Sequence, residues 1–148
     1  MRSHPRPAVQ ARHIAREDAP AGCPAQALHA DCATDLDGWS MVGFILMVDA
    51  FRPDNGATRF VPSSHRWPAP PDGLSGGHDG QVLACGPAGS VVVYNGSVWH
   101  GHSANPSGIP RRSIQDAYVR RDAQSPVNLP DRMRPETLAR IGPLARTC

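Results

Sequence analysis

The chain has 148 residues, 16 of them Pro and 14 Gly, and a formal net charge of +2 at neutral pH. All fifteen basic residues are Arg, scattered rather than gathered into a stripe, which argues against nucleic acid as a partner. No run approaches the ~20 apolar residues of a membrane span and the N-terminus has no apolar signal core, so the expectation is one cytoplasmic domain with no membrane partner.

Residues 1–27 are rich in Pro, Ala, Arg and His without an apolar period, and read as a poorly ordered or loosely docked leader. A core of 28–122 follows. Its first strong element is Trp39 to Phe51, "WSMVGFILMVDAF", a nearly continuous apolar run that predicts a strand buried on both faces. Asp54-Asn55-Gly56 is a turn signal, with "ATRFVP" as the returning strand. Pro62 to Gly80 is a long Pro- and Gly-rich loop. "QVLAC" and "SVVVY" are short strands, Asn95-Gly96 predicts a tight hairpin into "SVWHG", and "RRSIQDAYVRR" alternates as a last strand. In a tail of 123–148, Pro135 begins a short helix ending near Gly142-Pro143. Short strands between Gly, Pro and Asn turns predict an all-β sandwich or barrel. Cys23, Cys32, Cys85 and Cys148 show no paired spacing and read as incidental thiols, and Asn95-Gly96-Ser97 reads as a turn.

Residues i and i+2 of a strand point to one side. His29 and Asp31 of "LHADC" therefore present an imidazole and a carboxylate together, with the small Ala30 facing away. Two histidines and one carboxylate on one face of an octahedron leave three open positions, which suits non-haem Fe(II) oxygenases. His100 and His102 are both candidates for the third ligand, since their spacing puts them on the same face. Arg111 and Ser113 share the same spacing, so a guanidinium and a hydroxyl could together hold a carboxylate, while Arg112 faces the opposite side.

The order H-x-D, then "NGATRFVPSSHRW", then "GSVVVYNGSVWHGHSANPSGIPRRSI" resembles the phytanoyl-CoA dioxygenase family of Fe(II)/2-oxoglutarate oxygenases, from about Leu28 to the tail "RMRPETLARIGPLAR". The resemblance implies a double-stranded β-helix, the cupin-like jelly roll, with a short C-terminal helix. It implies His29, Asp31 and His100 as the metal-binding, catalytic residues; His100 is selected because Gly follows it and Asn105 lies five residues on. Arg111, eleven residues after His100, matches the arginine that binds the distal carboxylate of 2-oxoglutarate, and Ser113 completes Arg-x-Ser. His65 matches a loop-structuring position; His4, His13 and His78 have no role in the pattern.

The implied cofactor is Fe(II), with 2-oxoglutarate and O2 as cosubstrates, and the implied reaction hydroxylates a C–H bond of a small or acyl-type organic molecule with release of succinate and CO2. Family members carry a longer segment ahead of H-x-D, whereas twenty-eight residues precede His29 here. A shortened chain would leave a sheet edge exposed, through which a homodimer could pair. The alternative expectation is a truncated, non-catalytic β-helix module that binds metal or ligand without turnover.

Overall fold

The computed structural model describes residues 9–34, 39–68, 77–120 and 133–140, and the side chains from residue 17 onward. Among these residues seven strands form: β1 Val9–Ala19, β2 Met41–Met47, β3 Thr58–Phe60, β4 Val82–Ala84, β5 Val91–Asn95, β6 His100–His102 and β7 Arg111–Arg120. A helix, α1, follows at Pro135–Arg140. The expected helix end at Gly142-Pro143, together with His4 and Cys148, lies outside the described residues.

The strands make two antiparallel sheets, one ordered β1-β7-β2-β5 and the other β4-β3-β6. From β4 onward the chain changes sheet at each step, and β2 and β3 also lie in different sheets, which is the jelly-roll arrangement. The two Asn-Gly turns therefore carry the chain across the barrel, and "ATRFVP" does not return beside β2 as expected. Asn55 still builds its turn: its side chain accepts from the Arg52 N–H at 2.7 Å and donates to the Ala50 carbonyl at 2.8 Å. Turn residues reverse the chain locally, but burial of the sheet faces chooses the strand partner.

Between the sheets lie Ile45, Met47, Phe51, Ala57, Phe60, Tyr94 and Val98. On the other face of the small sheet, Leu28, Val61 and Trp99 form a second cluster. β2 is buried on one face only, against the expectation of two. Gly43, Ile45 and Met47 turn inward, while Leu46 is 38% exposed beside Val91 at 54% and Ile114 at 39%. The apolar run is continuous because Leu46 belongs to an outer face shared with its register partners Val91 and Ile114.

Part of the stretch read as a leader is also structured differently. Val9–Ala19 forms the edge strand β1, paired along β7 from Val9↔Arg120 to Ala19↔Arg111 with one irregularity at Ala11/His13. An edge strand of Ala, Arg and Glu pairs through its backbone, so it leaves little hydrophobic period to read.

The start of β7 is clamped to the end of β2. Arg112 donates through Nε and Nη2 to the Asp49 carboxylate at 2.9 and 2.7 Å, and its backbone N–H adds a bond of 2.8 Å. The hydrogen bond from the Arg112 side chain is the first cause pulling the Asp49 carboxyl from 3.8 to about 2. Because the folded value is the lower one, the clamp contributes above the unfolded pKa and is lost as pH falls from 3.8 through about 2. The pair is solvent-exposed, so the effect is modest. Thermal melts across that window should fall less steeply in Asp49→Asn than in the parent; equal slopes would contradict the linkage.

Candidate metal centre

The stretch carrying His29 and Asp31 runs antiparallel to β6. The His29 N–H donates to the His100 carbonyl and the His100 N–H to the His29 carbonyl, both at 2.9 Å. Two residues that exchange both backbone bonds stand directly opposite, so their side chains leave the same face. The imidazole centroids lie 4.5 Å apart. On the other side of β6, Phe60 is the register partner of His100 and stacks on its ring at 5.6 Å. Gly101 is bare because a Cβ there would sit 3.0 Å from the Ala27 carbonyl oxygen; this close passage is the physical content of the His-Gly pair.

Asp31 follows on the same face two residues after His29. Its N–H donates to the Gly96 carbonyl at 2.8 Å, tying the H-x-D stretch to the turn after β5. Its Oδ2 lies 3.5 Å from His100 Nε2 and its Oδ1 3.8 Å from His29 Nε2. Tyr94 Oη donates to Oδ2 at 2.9 Å. One candidate ligand atom from each of His29, Asp31 and His100 lies within 4.8 Å of the others, the one such grouping among the described residues.

The protonation pattern suits a metal. His100 Nδ1 lies 2.9 Å from the Val98 carbonyl and His29 Nδ1 3.2 Å from the Ala27 carbonyl. A carbonyl can only accept, so Nδ1 carries a proton in each ring and Nε2 is the nitrogen that faces the common centre. Burial pushes the His100 pKa below the ordinary imidazole value, against the opposing pull of Asp31, so the ring stays neutral at neutral pH. Burial first, and then the Asp31 charge, push the Tyr94 phenol above its usual value and keep it a donor. The His100 side chain is 3% exposed and that of His29 40%, so the centre opens on the His29 side. Two imidazole nitrogens and a carboxylate oxygen form a donor set for a divalent transition metal with positions to spare.

Arg111 and Ser113 both turn into the barrel, 3% and 1% exposed. Arg111 Nη1 donates to Ser113 Oγ at 2.8 Å and Nη2 to the Gly56 carbonyl at 2.7 Å. The guanidinium lies 4.1 Å above the centre of the Phe51 ring, and Ser113 Oγ donates in turn to the Glu17 carbonyl. Burial lowers the Arg111 pKa, with Glu17 the first of the opposing charges. Its Nε–H is buried without a hydrogen-bond partner among the described residues. An orphaned guanidinium donor on the inner wall is what an incoming carboxylate would satisfy.

Of the two histidines left open by spacing, only His100 joins the centre; His102 Nδ1 donates to the Ser103 carbonyl at 2.9 Å. In the "PSSH" loop the buried anchor is Ser64, which donates to the Val61 carbonyl at 2.8 Å and accepts from the Trp99 N–H at 2.7 Å. His65 sits half-buried in the same 3-10 turn. His78 packs against Trp67 and Trp99, and His13 lies in β1. Tyr94 is the site residue that sequence reasoning missed. Nothing local links it to an aspartate sixty-three positions away; its only sequence signal is the inward parity of strand "SVVVY".

The phytanoyl-CoA dioxygenase (PhyH) family model matches residues 3–113. "Dioxygenase cdmD" of Talaromyces verruculosus is 40% identical over 74 residues, covering 50% of this chain and 24% of that protein. "Multifunctional dioxygenase ausE" of Emericella nidulans is 31% identical over 146 residues, covering 82% and 48%. The crystal structure of EvdMO1 superposes with a TM-score of 0.65 at 25% identity, over 77% of this chain and 28% of that one. The epimerase SnoN, solved with Fe3+, alpha ketoglutarate and nogalamycin RO, shares the fold at 19% identity and a TM-score of 0.61, over 76% and 50%. The chain spans about a quarter to a half of the length of these curated relatives.

Asn105, fully buried, ties the end of β1 to the loop before β7. Its Nδ2 donates to the Ala19 and Ile109 carbonyls at 2.9 and 3.0 Å, and its Oδ1 accepts from the Ser107 hydroxyl at 2.6 Å. Removing that side chain takes its donor from the buried Ala19 contact and leaves a void in a fully buried position, so Asn105→Ala should lower stability by about 1–3 kcal/mol in urea unfolding.

Proposed function

The chain belongs to the phytanoyl-CoA dioxygenase family, and from that premise we propose that it is an Fe(II)- and 2-oxoglutarate-dependent dioxygenase. Its reaction is hydroxylation of a C–H bond in a small or acyl-type organic molecule, with release of succinate and CO2. The observation that carries this reading is the convergence of His29 Nε2, His100 Nε2 and an Asp31 oxygen, with both imidazole tautomers set by backbone carbonyls.

His29, Asp31 and His100 would hold the iron, which when bound supplies the oxygen chemistry that couples decarboxylation of 2-oxoglutarate to C–H hydroxylation. The protein's own contributions are orientation and exclusion of water. Arg111 would anchor the distal carboxylate of the cosubstrate through its unpartnered Nε–H, with Ser113 and the Gly56 carbonyl holding the guanidinium in place. Phe51 beneath the guanidinium and Phe60 against His100 keep that wall apolar and dry. A substrate reaches the centre from the half-exposed His29 side. The same donors would also accept Mn(II) or Co(II) in a purified sample.

Under anaerobic conditions, Fe(II) with 2-oxoglutarate should give a weak visible charge-transfer band that His100→Ala and Asp31→Ala abolish. An unchanged band in both variants would refute the ligand assignment. Arg111→Ala should raise the 2-oxoglutarate concentration needed for the band about 10-fold or more, the loss of one charge-assisted contact. Succinate release in air separates the enzyme from a metal-binding module without turnover, which would show the band and no succinate.

A further inference from the structure

Asp31 is held by a side chain outside the proposed ligand set. Among the described residues, Tyr94 Oη is the one hydroxyl that donates to its carboxylate, at 2.9 Å on Oδ2. The phenol comes from the opposite sheet. Tyr94 is the penultimate residue of β5, while the H-x-D stretch pairs with β6. To cross the barrel the ring lies over β2, where its register partner is Gly43. A Cβ on Gly43 would fall 2.3 Å from Tyr94 Cζ and 2.6 Å from its Oη. No heavy atoms tolerate that approach, so any side chain at 43 would displace the ring. On its other side Tyr94 packs against Phe60 and His100, with centroids 5.3 and 4.8 Å away. The ring is thus confined by a bare strand below and two aromatic rings beside it, with its hydroxyl on Asp31.

We propose that Tyr94 is the positioning residue of the metal centre: laid across Gly43, its hydroxyl sets the carboxylate of Asp31 in the orientation that meets the two imidazoles. The inference rests on the reading of His29, Asp31 and His100 as metal ligands. A carboxylate is free to rotate about its terminal bond, whereas the two imidazoles are already fixed by backbone carbonyls. Partners of this kind orient ligands, and their loss typically costs metal affinity about 10- to 100-fold. Gly43 acts through Tyr94, whose ring atoms are the three nearest to a Cβ at that position.

The test is Co(II) titration of the metal-free protein, read by visible absorption, with thermal melts of the same samples before metal is added. Tyr94→Phe keeps the ring and removes only the hydroxyl. It should bind Co(II) about 10-fold or more weakly and alter the visible bands, with the metal-free melt unchanged. Gly43→Ala should produce the same weakening by displacing the ring. The sequence has two tyrosines and three tryptophans, so in Tyr118→Phe, where Tyr94 is the one tyrosine left, Zn(II) should perturb the near-ultraviolet absorption by a difference that Tyr94→Phe removes. Parental affinity and bands in both Tyr94→Phe and Gly43→Ala, with Asp31→Ala unable to bind, would overturn the role of Tyr94 and spare the ligand assignment. A silent Zn(II) difference spectrum in Tyr118→Phe that still binds the ion would overturn it equally. Undiminished binding in Asp31→Ala would overturn the ligand assignment and, with it, this inference.

Discussion

His29 and His100 exchange two backbone hydrogen bonds of 2.9 Å, and those bonds determine where every other part of the centre must stand. They set two chain segments seventy-one positions apart in one antiparallel register, so the two imidazoles leave the same face. Asp31 then joins them by the two-residue period of an extended chain. A slip of one residue would send both H-x-D side chains to the opposite face, among Leu28, Val61 and Trp99. Several contacts guard against that slip. Gly101 lets the Gln26–Ala27 backbone pass close, the Gly96 carbonyl receives the Asp31 N–H, and Arg59 on β3 donates to the Gln26 carbonyl.

The two sheets divide the chemistry between them. β6 and the stretch paired with it carry the imidazoles, whereas β5 and β7 of the larger sheet carry Tyr94, Arg111 and Ser113. Between them the same apolar cluster serves both. Phe60 stacks on His100, and Phe51 lies under the guanidinium of Arg111. Burying a guanidinium without a carboxylate partner costs stability unless hydrogen bonds and ring contacts offset it. Ser113, Gly56 and Phe51 supply that offset for Arg111 and leave its Nε–H over. A polar donor left over in a core is a cost to folding that makes sense where a ligand completes it.

Much of this was legible in the chain. The H-x-D pair, strands β5 and β7 and the helix start at Pro135 are local signals that follow from side-chain parity or turn chemistry over a few residues, whereas the His-Gly and Arg-x-Ser patterns took their meaning from the family resemblance. What was misread has a common cause. The Asn-Gly turns were expected to close hairpins, the apolar run before Asp49 to be covered on both faces, and residues 9–19 to lie outside the sheet. In each case the local pattern was correctly seen, and its partner lay far along the chain. β1, whose sequence VQARHIAREDA has no clear apolar period, becomes a strand because β7 offers it a complementary backbone edge.

Residue types and two-residue spacing were enough to put His29 beside Asp31 and Arg111 beside Ser113 and to leave His100 and His102 as candidates, while the choice of His100 and the roles of all five came from the family resemblance. Only the folded barrel decided between His100 and His102 on geometric grounds, buried the Arg111 Nε–H with no hydrogen-bond partner among the described residues, and laid Tyr94 across Gly43 onto Asp31. Each of these depends on strand register across the barrel. Register is fixed by which faces can be buried together, a property of the whole assembly of strands that no single segment carries.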